Sequence, residues 1–573
     1  MFFVLSLLLM LPNFFAGNEK NYDNNMPEIM PGFPLRIDSG FTILSSPLLV
    51  DFDGDGNLEI VTTTGINGIN NRMIFIYRSN GNIYPGWPQQ LPFNDPPYST
   101  AAGDIDNDGT IDLAVLASHN IYVFHSDGTL MSGFPAYYHD NSYIVSYELI
   151  LFDLDNDKKL EIITQNGNSV LVFNSNGQLR TGWPQFLLGN PATKPCVGDI
   201  NNDGTAEIVT TSMLWRPQPG VYDSSRIYVF QSDGTLFPGW PVEMDSNYSF
   251  WGSVNPAILK QSQNGALIIT SSNRMVGSDL SCIVSLFTPS AQLFRRWKIS
   301  DEDFVSGGIS LADFNFNEKV KIVTSLYILS KVIISDLNGN ILPTLPMIGQ
   351  ISGPDNPTLC KATSLDTLNI ITKDNSSTVQ SDSSAIYVYR FNGSHIEWSP
   401  FPTKGIPKFN PILNDIDGNG ITDMIVITTT YINNNYLYVW TLSDVPYNRE
   451  NFPWPMYGHD RYRTSQYGFV PPDEIVSVSS YEQTPLEFSL EQNYPNPFNP
   501  QTKLSFVLGQ SSLVTLNVYN ILGEKIITLI NDESMQAGKH EVKFDASQLQ
   551  SGIYFYRLSA GKYIETKKMV LLK

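Results

Sequence analysis

Five stretches of the chain repeat one arrangement of oxygen-bearing side chains, D-x-[DN]-x-[DN]-[GK]-x-x-[DE], with the last acid always eight positions after the first. Loop one holds Asp51, Asp53, Asp55 and Glu59; loop two holds Asp104, Asp106, Asp108 and Asp112; loop three holds Asp153, Asp155, Asp157 and Glu161. Loop four holds Asp199, Asn201, Asp203 and Glu207, and loop five Asp415, Asp417, Asn419 and Asp423. Alternate carboxylates at positions one, three and five, a backbone carbonyl near seven and an acid at nine suit a hard cation, and Ca2+ accepts six to eight oxygens. Structural Ca2+ at four or five sites is the expected cofactor. An EF-hand would place its closing Glu at position twelve between helices, whereas here apolar strand-like runs flank the loop and the acid comes sooner. Loop three departs from the pattern, because Lys158 replaces the turn glycine.

Charge strengthens this reading. Eighteen of the 56 acids stand in these five loops, where three or four carboxylates packed within a few ångströms repel one another without a counter-ion. Five Ca2+ ions would bring the formal charge from -21 to -11 (-21 plus ten). A sixth stretch, Asp313-x-Asn315-x-Asn317-Glu318-Lys319, has lost too many charges and is expected to stay empty. The same acidic balance repels nucleic acid and anionic membrane.

The loops must be held by the elements on either side of them. Pro47–Val50 before loop one and Leu58–Val61 after it read as strands, and the same order recurs at about fifty residues. Each unit continues with an alternating aromatic strand such as Ile74–Tyr77 or Ile121–Phe124. A tight turn follows at Asn80-Gly81, Asp127-Gly128, Asn176-Gly177 or Asp233-Gly234, where glycine supplies the positive φ of a two-residue hairpin. The unit closes on Gly86-Trp87-Pro88, Gly133-Phe134-Pro135, Gly182-Trp183-Pro184 or Gly239-Trp240-Pro241, always with the turn glycine seven residues before the proline. Weaker units follow near 256–299, 309–345 and 358–401, and a strong one at 413–440.

That makes eight units of four strands. A four-stranded unit exposes edges and buries one face poorly, so a closed ring is expected. The fold class is all-β: an eight-bladed, alternatively seven-bladed, β-propeller over 31–466, a linker over 467–490, and a small C-terminal β-sandwich over 491–573. Pro31-Gly32-Phe33-Pro34 and Phe452-Pro453-Trp454-Pro455-Met456 both read as the last strand of a unit, so one of them is expected to complete a unit begun at the opposite terminus.

The loops and their flanking strands resemble the FG-GAP, or VCBS-type, repeat family over roughly 31–466, most closely in units one to four and eight. The resemblance implies a β-propeller whose ions brace blades while ligands bind elsewhere. In the C-terminal region, Asn493-Tyr494-Pro495-Asn496-Pro497-Phe498-Asn499-Pro500 opens a set of alternating strands at Thr502–Val507, Leu513–Tyr519, His540–Phe544 and Gly552–Leu558. With Val518-Tyr519-Asn520-Ile521-Leu522-Gly523, Ser551–Tyr556 and the terminal Lys567-Lys568-Met569-Val570, it is similar to the type A sorting domain of the type IX secretion system. That resemblance implies the type IX secretion machinery as partner, and a protein released outside the cell or attached to its surface. At the other end, the apolar run Met1–Leu11 followed by Phe15-Ala16-Gly17 is too short to span a membrane and reads as a signal peptide over 1–17. No other stretch could cross a membrane as a helix.

No nucleophile elbow, HExxH pair or phosphate loop occurs in the sequence. The six histidines are scattered, and Cys196, Cys282 and Cys360 lie far apart, as small buried residues would. Tyr98, Tyr137, Tyr138, Tyr143, Tyr147, Tyr248, Phe250 and Trp251 fall just before the first strands of their units. If those strands are innermost, these rings surround a channel mouth, where they could stack on sugars or anchor peptides. The expected function is therefore a calcium-binding propeller for ligand binding or adhesion to an unknown protein or glycan. The alternative is a Ca2+-dependent polysaccharide lyase or glycosidase on the same scaffold.

Overall fold

The computed structural model describes residues 27–471 and 488–573, apart from connecting stretches within them, of which 138–147, 347–356 and 374–382 are the longest. The signal-peptide reading of 1–17 lies outside the described residues. The chain divides into two compact units, Met1–Ser477 and Val478–Lys573. Both are built from β-strands, and no α-helix occurs among the described residues.

Among the described residues the first unit contains eight sheets of four to six strands, each an up-and-down antiparallel meander with small additions, one of which, in the fifth sheet, pairs in parallel. Sheet one joins Thr42–Ile43, Leu48–Val50, Glu59–Gly65, Met73–Tyr77 and Gln89–Gln90. Sheets two to seven follow over 97–137, 149–186, 190–243, 248–300, 310–346 and 358–404. Sheet eight takes Ile406–Pro407, Ile412–Asn414, Ile421–Thr429 and Asn434–Pro446, and adds Glu28–Ile29 and Leu35–Ser39 from the N-terminal end of the unit. The N-terminal candidate for a closing strand, Pro31-Gly32-Phe33-Pro34, is itself the turn between these two added strands.

Apolar side chains gather between sheets rather than within them. One core joins sheets eight, one and two through residues such as Ile425, Val61 and Val115. Others join two with three, three with four, and four with five. A large core spans five, six and seven, and a last one joins seven with eight. Each sheet therefore buries both faces against its sequence neighbours, and the eighth does so against the first.

The constant spacing of the turn glycine and the Gly-Trp-Pro run has its cause in these contacts. A Cβ on Gly86, at φ +86°, would stand 1.9 Å from the carbonyl oxygen of Asp127 in the next unit's turn. Trp87 donates its indole N–H to Ser126 O at 2.9 Å and meets Phe124 edge-on at 5.7 Å. Trp183 and Trp240 repeat this, donating to Ser232 O and Pro289 O and meeting Phe230 and Phe287.

The second candidate closing strand has a different fate. The backbone over 454–467 runs along the first strands of many sheets. Trp454 exchanges bonds with Leu359, and Leu413 N–H donates to Pro455 O at 3.4 Å. Ala102, Leu151, Val197 and Ile258 donate their N–H groups to Arg461, Tyr462, Thr464 and Ser465. Gln466–Tyr467 then pairs in parallel with Ala257–Leu259. The Arg463 side chain donates to Thr100 O, Ser46 O and Pro47 O. Among the described residues from Trp454 to Gln466, all but Pro455 are buried.

In the second unit, Ser489–Leu490, Gln501–Leu508 and Gly538–Asp545 form one sheet. Lys525–Met535, Ser512–Tyr519, Gly552–Ala560 and Tyr563–Leu571 form the other, over a core of Phe506, Leu516, Phe544 and Tyr556. Two of these strands escape a reading by alternation: Ile526 and Ile527 are both exposed in Lys525–Met535, and in Tyr563–Leu571 the charged Glu565 and Lys567 share the parity of the buried Met569 and Leu571. Asn493 ties the opening motif down. Its N–H donates to the Tyr556 hydroxyl at 2.8 Å, and its amide donates to Pro495 O and Thr502 Oγ1.

Candidate cation sites

All five acidic loops share one internal wiring, set by the turn that links the first two long strands of a sheet. In loop two, Asp104 Oδ1 accepts the Asp108 N–H at 3.0 Å and Oδ2 accepts the Gly109 N–H at 3.0 Å. The closing Asp112 accepts the Ile105 N–H at 3.1 Å. The same three bonds recur around Asp51 and Glu59, Asp153 and Glu161, Asp199 and Glu207, and Asp415 and Asp423. One oxygen of the position-five residue caps the turn as well, as Asp203 Oδ1 does for the Thr205 N–H and hydroxyl.

These bonds use part of each carboxylate and leave the remaining oxygens converging. Carboxylate oxygens of Asp51, Asp53 and Glu59 lie within 4.8 Å of one another, as do those of Asp153, Asp155 and Glu161, and those of Asp415, Asp417 and Asp423. In loop two the group is Asp104, Asp106 and Asp108, while Asp112 Oδ1 pairs with His125 Nδ1 at 2.9 Å. Loop four keeps Asp199, Asp203 and Glu207 on the same wiring, with the Asn201 amide donating to Asp203 Oδ2 at 2.8 Å. Position five, Asp55 and Asp157, stands outside the tight group in loops one and three.

Burial drives the electrostatics. The closing acids Glu59, Asp112, Glu161, Glu207 and Asp423 are all buried, and burial raises each of their pKa values to about 7. The backbone N–H that each accepts works against the shift, and neighbouring loop acids add to it. Burial also raises Asp104, Asp153 and Asp415. Hydroxyls of Thr110 and Thr205 hold Asp108 and Asp203 down. Clustered oxygens whose ionised form is penalised by burial fit a hard divalent cation, which would supply the missing positive charge.

In three of the loops the residue after the first acid reaches a neighbouring sheet. Ile416, whose N–H binds Asp423, accepts the Leu58 N–H of sheet one at 2.8 Å. Ile105, bound to Asp112, accepts the Leu160 N–H of sheet three at 3.0 Å, and Ile200, bound to Glu207, accepts the Ala266 N–H of sheet five at 2.7 Å. A closing acid and an inter-sheet bond thus share one peptide unit's neighbourhood.

The aromatic candidates are dispersed. Tyr98 and Tyr248 are half-buried in Pro97–Gly103 and Tyr248–Ser249, and Phe250 is fully buried in the core between sheets four and five. Tyr137 ends the outermost strand of sheet two and is 64% exposed. Tyr138, Tyr143, Tyr147 and Trp251 lie outside the described residues. The sequence reading missed Phe186, 66% exposed at the equivalent place in sheet three, where Ser169 faces it as Asn120 faces Tyr137. Its signal was its position two residues beyond a Trp-Pro pair.

Comparison with known proteins agrees with the geometry. The FG-GAP-like repeat profile matches residues 51–115, 104–164 and 153–210, which contain loops one to four. The secretion system C-terminal sorting domain matches 492–572. The chain therefore carries FG-GAP-like repeats and a type IX sorting domain, which marks it for secretion, with attachment to the cell surface or release. No curated protein matches the chain. Among solved structures it is similar to the V. cholerae biofilm matrix protein Bap1, at 13% identity and TM-score 0.38, over 75% of this chain and 94% of that one. The WD40 domain of SCAP from fission yeast is similar at 10% identity and TM-score 0.37, over 72% and 97%. Neither likeness bears on function.

Proposed function

We propose that this secreted protein is an eight-bladed propeller braced by Ca2+ that presents its outer surface to a protein or glycan partner. The observation that carries this reading is the fivefold repetition of one loop geometry with a buried closing acid. In three of those loops, the residue bonded to that acid also holds the adjacent sheet. Filling such a loop neutralises the buried carboxylate and fixes the peptide that binds the next blade. Closure of the ring is supported by the core shared between sheets eight, one and two and by the N-terminal strand in sheet eight.

A binding role is supported by Tyr137 and Phe186, large exposed rings at matching places on consecutive sheets. Exposed aromatics offer flat apolar area to sugars and peptides. The experiment is binding of the full chain to glycan and surface-protein arrays, with Tyr137→Ala/Phe186→Ala as control. Loss of a wild-type signal in the double variant supports the reading, and an unchanged signal removes this surface from it.

A further inference from the structure

Loop three differs from the other four in what approaches its acids. Arg180 reaches into it, with Nη2 at 2.9 Å from Asp155 Oδ2 and Nη1 at 3.0 Å from Glu161 Oε1. Its side chain is 15% exposed, and its fork spans two of the three acids that converge in the loop. The fork geometry of guanidinium suits this pairing better than a point charge would.

The position of Arg180 in its repeat makes the substitution visible. Its N–H donates to Val172 O at 2.8 Å, the bond that begins the unit's last segment. The residues making the equivalent bond in other units are Tyr84, Met131, Phe237, Leu342 and Ile396. Apolar or aromatic side chains thus fill this place in those units, and a cation fills it in the third. The turn position of the same loop has changed too, with Lys158 at φ +70° where Gly56, Gly109, Gly204 and Gly420 stand in the others. Four carboxylates of loop three, Asp153, Asp155, Asp157 and Glu161, are therefore accompanied by Arg180, Lys158 and Lys159. Loop one also has an arginine nearby, but among the described residues Arg78 pairs with Asp53 and not with Glu59, and it lies over the Tyr84 ring.

We propose that loop three carries its own cation: the Arg180 guanidinium takes the place that Ca2+ takes in the other four loops. This rests on the calcium reading of those loops and adds which of the five does not use the ion. A tethered cation neutralises the same acids without the entropic cost of capturing an ion, and keeps blade three braced when calcium is scarce.

The test is calcium stoichiometry of the full chain by equilibrium dialysis. Wild type is expected to bind one ion for each of loops one, two, four and five, and Arg180→Met to bind one ion more. Wild type already binding at all five loops, or Arg180→Met gaining nothing, overturns the proposal while leaving the calcium reading intact. No binding by either protein overturns the calcium reading and this proposal with it. Should Arg180→Met fail to fold, two conservative variants decide: Glu161→Gln is expected to leave the wild-type number unchanged, whereas Glu207→Gln lowers it by one. An equal loss in both overturns the proposal.

Discussion

Each closing acid has an ionisation that works against the fold unless something positive is near. Burial pushes Glu59, Glu207, Asp112 and Asp423 up to about 7 in the folded protein, against an ordinary carboxylate range near 4, and raises Glu161 too, although Arg180 opposes that shift. Between those values the ion-free folded state holds protons that the unfolded chain has released. The stabilisation this gives is complete below pH of about 4 and is lost as pH rises through about 7. Calorimetry in chelator is therefore expected to give a higher Tm at pH 5 than at pH 7.5. Saturating Ca2+, which binds the ionised form in loops one, two, four and five, should reverse that order. A second residue-scale expectation concerns Arg463, fully buried and bonded to the carbonyls of Ser46, Pro47 and Thr100. Arg463→Met leaves these acceptors short of a donor and should cost roughly 3 kcal/mol in urea denaturation. The loop acids were legible in the sequence because the ligand pattern is local, eight positions from end to end. Arg463 and Arg180 were not, since neither belongs to a local motif and their partners come from elsewhere in the fold.

Strands and turns were legible for a similar reason. Alternation marks the long strands, and Asn-Gly or Asp-Gly marks the hairpins, whose glycines do take positive φ: +83° at Gly81 and +83° at Gly128. What the sequence could not show is why the Gly-Trp-Pro run keeps its distance from that turn. The run contacts the turn of the following unit, 39 residues on at Trp87 and 49 at Trp183 and Trp240, and no pattern inside one unit reveals it. Gly86→Ala tests this contact. A methyl group there would meet Asp127 O at 1.9 Å and carry a strained backbone, so a loss of about 2–4 kcal/mol is expected by chemical denaturation. The same substitution at Gly109, also at positive φ but with no atom near the added Cβ, should cost about 1 kcal/mol.

Across the whole molecule, eight sheets are joined by cores that link every sequence neighbour and the eighth to the first. The segment 454–467 lies along the opening strands and bonds to sheets two, three, four, five, seven and eight through its backbone. It read in the sequence as another closing strand, because Phe-Pro-Trp-Pro resembles the end of a unit; only the backbone bonds reveal where it goes. A chain ending at residue 451 should therefore lose its cooperative unfolding transition, while one ending at 477 should keep it, as circular dichroism melts can show. The central claim is that the acidic loops hold calcium and thereby brace neighbouring blades, and thermal melting of the full chain in chelator, in Mg2+ and in Ca2+ tests it most directly. Each filled site contributes about 4 kcal/mol at a thousandfold excess over its Kd, so a Tm raised by Ca2+ well beyond the effect of Mg2+ is expected. A Tm that is the same in chelator and in Ca2+ would contradict the account and leave the loops as turns.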